Sequence, residues 1–553
     1  MQQIRGALAA ALQKESIQAA QIPLEHTADF AHGDYASGVA MVYAKQSGTN
    51  PRALAERLIA SMGVIEGVSK IEIAGPGFIN FTLDPKFLFE MLNIGRSHGE
   101  KWGSSAGLKG KKVMVEYTDP NPFKAFHIGH LMSNTIGESL ARLKESAGVE
   151  VIRANYQGDL GVHIACAIWG MQKLGIHPTS ADEFGRAYAE GATAYKESAE
   201  AKTEIDTINK KLYDRSDAEL NKLYDTGRKE SLIAFERIYA ALGTKFDHYF
   251  FESETGPIGA KLVNEHPDVF PLSDGAHVFK GEEHGLHTRV FLNSQGLPTY
   301  EAKELGLEKL KMELYPDVET LYVITANEVV DFFRVVKKAM EQVLPDIAAK
   351  LVHLAHGLMK LPEGKMSSRT GNVITGESLI NDLTAVAKER AAESRADDKD
   401  KLAQEIAVAA IKFQILKGGM SKDIIFERER ALSVEGDSGP YLQYTHARTH
   451  AIVEKAKEAG IVPSFHPEAE VPELARLVFR FYDTVLRAQE ELEPHHVANY
   501  LISVAAAFNS WYAQEHILDS TPAAAHKVAL TDITRQTLKN GLWLLGIPAP
   551  EKV

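Results

Sequence analysis

Cysteine is almost missing from this chain: Cys166 is the single one in 553 residues. That excludes an internal disulfide and any zinc site built on two or more cysteines, and it fits a reducing compartment. Long apolar runs are missing as well. No stretch approaches the roughly 18–20 residues that span a bilayer, and Met1 to Gln13 has neither the unbroken apolar core nor the cleavage site of a signal peptide. A cytoplasmic protein without a membrane partner is expected. There is no short tandem repeat or long low-complexity tract. Positive charge is not in excess either: 61 Lys and Arg against 74 Asp and Glu leave a formal charge of −13. Indiscriminate polyanion binding is thereby disfavoured, while local basic faces remain open.

What is there describes a globular protein, with 44% hydrophobic and 24% charged residues. Single cores stop growing at roughly 250–300 residues, so about three domains are expected. Residues 1–105 read as a small α+β domain. Ile4, Leu8 and Leu12 recur at helical spacing, and Lys70 to Ala74 and Phe78 to Leu83 read as strands around the turn Gly75-Pro76-Gly77. Residues 106–399 open on the β-rich run Lys112 to Tyr117, a Pro/Asn loop and a helix from near Gly129, where Ile136, Leu140, Leu143 and Ala147 keep helical spacing. Further apolar runs at Val149 to Ala154, Thr320 to Thr325 and Lys350 to Ala355 alternate with helical stretches. The pattern predicts a Rossmann-type, doubly wound parallel sheet with its phosphate site at the strands' carboxyl ends. The charged stretch from about Ala181 to Val269 reads as a helical insertion with flanking helices. Residues 400–553 are almost wholly helical by periodicity and predict an all-α bundle.

Two segments could carry chemistry. Phe126-His127-Ile128-Gly129-His130 falls where the first strand–loop–helix unit starts its helix, so both imidazoles and free backbone amides could face phosphate, with Gly129 admitting a flat base. A bland helix cap is the competing reading of His-x-x-His alone. Gly364-Lys365-Met366-Ser367-Ser368-Arg369 is a polar segment whose lysine and hydroxyls could close over a triphosphate and neutralise a leaving pyrophosphate; alone, it would be a solvated turn.

Together and in this order, the two segments resemble the paired signatures of the class I aminoacyl-tRNA synthetases, His-Ile-Gly-His and Lys-Met-Ser-Lys-Ser, the second departing by Ser368 in place of the second lysine. The surroundings resemble arginyl-tRNA synthetases: Glu116-Tyr117-Thr118-Asp119-Pro120-Asn121, Asn155 to Gly161, Gly439 to Tyr444 with His446-Ala447-Arg448, Gly75 to Phe81 and Gly541 to Ile547. A lysyl or cysteinyl enzyme of the same class and a non-catalytic tRNA-binding relative are the rivals; the first would share both signatures, the second would have damaged ones.

The resemblance implies that ATP with Mg2+, L-arginine and tRNA(Arg) are the partners, that no metal is bound by the protein itself, and that the enzyme is a monomer whose arginine activation waits for tRNA. It implies catalysis by His127, His130 and Lys365. ATP would be held by Lys124, His127, Gly129, His130, Gly158, Asp159, Lys365, Met366, Ser367, Ser368 and Arg369. Arginine would be held by Glu116, Asn121, His130, Tyr300, Glu304 and Glu328, where Glu304 departs from the aspartate many relatives carry. A permanently charged, forked guanidinium needs such carboxylates. Structural alternatives stand beside three of these: pairing of Glu116 with a lysine, and helix capping by Asp159 or by Asn327-Glu328. The N-terminal region would meet the tRNA's D-arm side, with Phe78 and Asn80 as candidates, although core placement is the safer reading of Phe78. The C-terminal region would bind the anticodon through Tyr444, Arg448, Trp511 and Tyr512, of which about two are expected to be buried.

Overall fold

The stripe of Ile4, Leu8 and Leu12 becomes, in the computed structural model, the buried face of the helix Gln2–Lys14. The structure describes residues 1–176, 181–362, 375–519 and 521–553. They form two compact units. The first is assembled from Met1–Gly103, Thr445–Thr484 and Tyr500–Asn540, the second from Ser104–Tyr444, Val485–Asn499 and Gly541–Val553.

The first unit carries an antiparallel sheet of β1 (Glu25–His26), β2 (Tyr35–Ser37), β3 (Val68–Ala74) and β4 (Phe78–Leu83), in the order β1-β2-β4-β3. The turn between β3 and β4 uses Gly75 at φ +54° and Gly77 at φ +144°, backbone that only glycine adopts cheaply. The short β1 and β2 lack the length that makes a strand visible in sequence. Helices from the later stretches of this unit pack here through buried ion pairs. Arg476 binds the buried Asp34 at 2.5 Å, and Asp483 takes His26 and the Tyr35 hydroxyl at 2.9 Å each.

The second unit is built on five parallel strands. β5 (Lys112–Glu116), β6 (Glu150–Gln157) and β7 (His248–Phe251) lead into a small antiparallel sheet of β8 (Leu272–Ser273), β9 (Ala276–Phe279) and β10 (Arg289–Leu292). The chain then returns as β11 (Thr320–Ala326) and β12 (Leu351–His356). The order β12-β11-β5-β6-β7 is doubly wound as expected. From β5 the chain builds outward on one side, then re-enters on the other at β11, so the switch point lies between β5 and β11. Val113, Met114 and Val115 are all buried, as befits a strand covered on both faces.

The stretch expected to be wholly helical contains three insertion helices, Ala181–Glu197, Ala199–Asp214 and Ala218–Leu242, but also the edge strand β7. His248-Tyr-Phe-Phe251 is too short to show a period, and only pairing with β6 makes it a strand. Beyond β12, β13 (Met359–Lys360) pairs with β14 (Ile424–Ile425). The C-terminal region is helical as anticipated, with Lys399–Leu416, Gly439–Glu458, His495–Gln514 and Ala523–Leu544 as its long helices. Among the described residues no helix is long and apolar enough to cross a membrane.

Candidate active site

The loop leaving β5 is wound tightly. Thr118, Asp119 and Phe123 have φ of +83°, +46° and +62°, conformations that cost a non-glycine residue about 1–3 kcal/mol each and persist only where the surroundings enforce them. The enforcing contacts are present. Thr118 N donates to Ser133 Oγ at 2.9 Å, Tyr156 N donates to Asp119 Oδ1 at 2.8 Å, and Phe123 N donates to Ser231 Oγ at 3.0 Å.

This loop delivers His127 to the N-terminus of the helix Ile128–Ser146. The two histidines cap that helix reciprocally: Gly129 N donates to His127 Nδ1 and His127 N donates to His130 Nδ1, both at 3.1 Å. Their rings stack with centroids 3.6 Å apart. A Cβ at Gly129 would come within 2.9 Å of the His127 ring, so glycine is needed for the stack itself. Because each Nδ1 accepts a backbone N–H, the proton of each neutral ring belongs on Nε2, the nitrogen left free to donate. Neutrality follows from the surroundings. Desolvation, aided by Lys124, pushes His127 down to about 4, and desolvation with His127 and Lys124 pushes His130 well below the usual imidazole range. The cap reading and the phosphate reading of these histidines are therefore compatible: Nδ1 caps, Nε2 remains.

Lys124 precedes them, its Nζ 4.4 Å from the centre of the Tyr188 ring, and burial pulls its own pKa down. At the end of β6, a Cβ on Gly158 would lie 2.3 Å from Asn121 Oδ1, so a side chain there would displace Asn121. Asp159 is tied into the scaffold, as the structural alternative for it expects. Its fully buried carboxylate is taken up by Tyr224 (2.9 Å), Ser253 N and Oγ (2.9 and 2.8 Å) and Arg228 (3.0 Å). It ties together the insertion helix Ala218–Leu242 and the helix Glu252–Glu265.

Beneath the loop lies a buried acidic cluster. Glu116 ends β5 and Glu304 lies on the helix Tyr300–Leu314; both are buried, with Asp119 and Glu308 beside them and one cation, Lys311, among them. Lys311 Nζ is 2.7 Å from Glu116 Oε2 and also bonds Glu308. The lysine partner weighed for Glu116 is thus real. Glu304 Oε1 has no hydrogen-bond partner among the described residues. Burial first, then Glu116 and Glu308, push its carboxyl well above the usual range, and burial with Glu116 does the same to Asp119. Tyr300 is more than half exposed at the start of the same helix. Glu328 is exposed in the short turn Asn327–Val329, and the helix that follows has no side-chain cap bond.

Lys365, Met366, Ser367, Ser368 and Arg369 lie outside the described residues. The chain beyond them is placed: Thr375 forms an antiparallel bridge with His127, and Gly376 N donates to Phe126 O at 2.6 Å. Sequence reasoning missed Thr375, which carries no motif, and also Asp119, Glu308 and Lys311. The spacing of residues 304, 308 and 311 on one helix face was the available signal.

The tRNA candidates are rearranged. Phe78, for which core placement is the safer reading of the sequence, is 40% exposed, and Asn80 is buried. None of the four C-terminal candidates is buried: Tyr444 and Trp511 are half-buried, Arg448 and Tyr512 exposed. Arg448 bonds Asn509 at 2.5 Å and lies over the Tyr512 ring, which stacks on Phe508. The helices spend smaller residues and Phe508 on the core and leave these rings at its edge.

Three family models match the chain: the arginyl tRNA synthetase N terminal domain at residues 2–83, the catalytic domain of class I (R) tRNA synthetases at 96–428, and the DALR anticodon binding domain at 442–553. An arginine-tRNA ligase of Clostridium perfringens is 32% identical over 505 residues, 88% of either chain, and one of Clostridioides difficile is 30% identical over 538 residues, 94% of either. The solved arginyl-tRNA synthetase of Thermus thermophilus superposes with a TM-score of 0.83 at 26% identity, over 100% of this chain and 99% of that one. The chain belongs to the arginyl-tRNA synthetases: it uses ATP to convert L-arginine to arginyl-adenylate and transfers the arginyl group to the 3′-terminal adenosine of tRNA(Arg), releasing AMP and pyrophosphate.

Proposed function

We propose that the loop from Glu116 to His130 divides the two small substrates between its ends, ATP at the histidines and arginine at the acidic cluster. The observation that carries this is the pairing of neutral Nε2 donors at one end of the loop with an unsatisfied, buried carboxylate below the other. Arginine's carboxylate attacks the α-phosphorus of ATP and pyrophosphate leaves. No protein nucleophile is needed, so the residues contribute alignment and charge stabilisation. On this reading His127 and His130 donate to phosphate oxygens, Lys124 and Lys365 supply positive charge, and Met366 to Arg369 complete the cover over the triphosphate. Gly158 gives backbone access beside Asn121. Glu116 and Glu304 receive the guanidinium, Asn121 and His130 the other end of arginine, and Tyr300 and Glu328 line the approach.

Magnesium enters with the phosphates of ATP, since the groups around His127 are imidazole and ammonium rather than carboxylate. Phe78 meets the D-arm side of the tRNA, with residues 1–105 as that domain, 106–399 as the catalytic domain and 400–553 as the anticodon-binding domain. Arg448, Trp511, Tyr512 and Tyr444 meet the anticodon. The enzyme works as a cytoplasmic monomer and activates arginine only with tRNA bound. Two substitutions test the division. Lys365→Ala lowers the rate of tRNA-dependent pyrophosphate exchange at near-unchanged tRNA affinity, and equal loss in both refutes its role. Glu304→Gln weakens arginine more than ATP; unchanged arginine affinity removes Glu304 from the pocket.

A further inference from the structure

Glu304, Glu308 and Lys311 stand at i, i+4 and i+7 of the helix Tyr300–Leu314 and share one face. All three are buried, Glu308 and Lys311 almost completely. With Glu116 and Asp119 the cluster holds four carboxylates and one ammonium. The ammonium is not placed midway. It bonds Glu308 on its own helix and reaches across to Glu116 Oε2 at 2.7 Å on the sheet. Glu304 Oε1, Glu308 Oε2 and Glu116 Oε2 are left without a hydrogen-bond partner among the described residues, so Lys311 meets Glu116 as a close ion pair rather than through a directed hydrogen bond.

We propose that Glu308 and Lys311 are positioning residues that set specificity for the guanidinium: Glu308 holds Lys311, and Lys311 holds one oxygen of Glu116, leaving the other oxygen of Glu116 and the free oxygen of Glu304 as a two-point acceptor. The inference rests on the reading of Glu116 and Glu304 as arginine's partners. A carboxylate free to rotate does not hold its oxygen at the fixed spacing that a planar fork of N–H donors requires. Contact of the Lys311 ammonium with one oxygen of Glu116 opposes that rotation. Lys311 could not do this unaided, because a buried ammonium tied to one carboxylate by a four-carbon stem would follow that carboxylate. Glu308, one turn back on the helix, anchors it to the scaffold. A substrate ammonium carries its three donors on one nitrogen and lacks the spaced, parallel N–H pair of a planar guanidinium, so two acceptors fixed at the spacing of that fork favour arginine over lysine.

The test uses the full-length enzyme with tRNA, measuring KM for arginine, KM for ATP, kcat and Tm for Glu308→Gln, Lys311→Met, Lys311→Arg and the double variant Glu308→Gln/Lys311→Met. Each neutralising single substitution is expected to raise the arginine KM about tenfold or more, with kcat and the ATP KM changed by less than about threefold. Lys311→Arg, which keeps the charge, holds the arginine KM within about threefold. The double variant leaves neither buried charge alone, so its Tm recovers while its arginine KM stays high; a merely structural pair would restore both, and that result overturns the proposal. So do losses in kcat and both KM values that simply track Tm. Glu304→Gln is the control. If it leaves the arginine KM unchanged, the pocket reading itself fails; if it raises that KM while the Glu308 and Lys311 variants do not, only the present proposal falls.

Discussion

His127 and Thr375 face each other across a single antiparallel bridge, and the next amide, Gly376 N, donates to Phe126 O at 2.6 Å. Nearly 250 residues separate them in sequence. The chain that has just passed Lys365 to Arg369 is thereby stitched to the residue that caps the histidine helix, and Thr375 then caps its own helix through Ser378 N at 2.9 Å.

Gly376→Ala should break that stitch. An added Cβ would lie 2.8 Å from the Phe126 ring and 2.9 Å from Leu131, and overpacking of this kind costs about 1–3 kcal/mol. The expected outcome is a kcat lowered by about tenfold or more with arginine KM little changed, since the acidic cluster lies at the other end of the loop. Pyrophosphate exchange and a thermal melt check it; a stability loss with unchanged kcat would separate the stitch from catalysis.

Acid should destabilise the enzyme through histidines held neutral. Burial, with Lys124 adding, pushes His163 down to about 3, and burial pushes His353 and His526 to about 4. Unfolded imidazoles titrate near 6.5, so below that pH the unfolded chain binds more protons than the folded one. Stability is complete above about 6.5 and falls as pH drops toward the folded values, by up to about 1.4 kcal/mol per pH unit for a fully buried ring such as His163. His163 Nε2 donates to Gly158 O at 2.8 Å, so His163→Gln can keep the bond. Urea midpoints at pH 7 and pH 5 should differ less in that variant than in the parent.

Asp159→Asn should act on folding rather than on ATP. Removing the charge strands Arg228 beside a crowded amide that must still meet Tyr224 and Ser253. Breaking one side of such a buried pair costs about 3–5 kcal/mol. The measurement is the unfolding free energy beside the ATP KM; a raised KM at unchanged stability would return Asp159 to the nucleotide site.

Phe78→Ala and Asn80→Ala should separate in opposite ways. Phe78 is exposed, so its loss should change stability by less than about 1 kcal/mol while raising the KM for tRNA. Asn80 is buried in β4, and its removal should lower Tm with tRNA KM following only through the folded fraction. Melts and aminoacylation at varied tRNA decide both.

The fold was legible wherever a pattern ran long enough to have a period. The helix Gln2–Lys14 and the strands β5, β6, β11 and β12 all begin within a residue or two of where their apolar runs do. β7 and the hairpin strands β8 to β10 were not, because two to four residues hold no period and owe their form to a partner strand. At the site, His127, His130 and Glu304 were visible as residue types in a motif. The structural ties of Asp159 were not, since Tyr224, Arg228 and Ser253 are brought to it only by the insertion and the strand after it. Nor was the bridge to Thr375, a backbone contact that any side chain could make.

The first compact unit is closed by chain from both ends of the sequence, and this orders its birth on the ribosome. Asp34 is made early, but its partner Arg476 and the Asp483 that receives His26 arrive only after the whole of the parallel sheet has been translated. At about 5–20 residues per second that interval is on the order of tens of seconds. Through it the N-terminal stretch waits with a buried-to-be carboxylate still in water and an apolar flank uncovered. A nascent chain stalled before Arg476 should therefore engage chaperones through its first hundred residues, while the sheet behind it has already condensed.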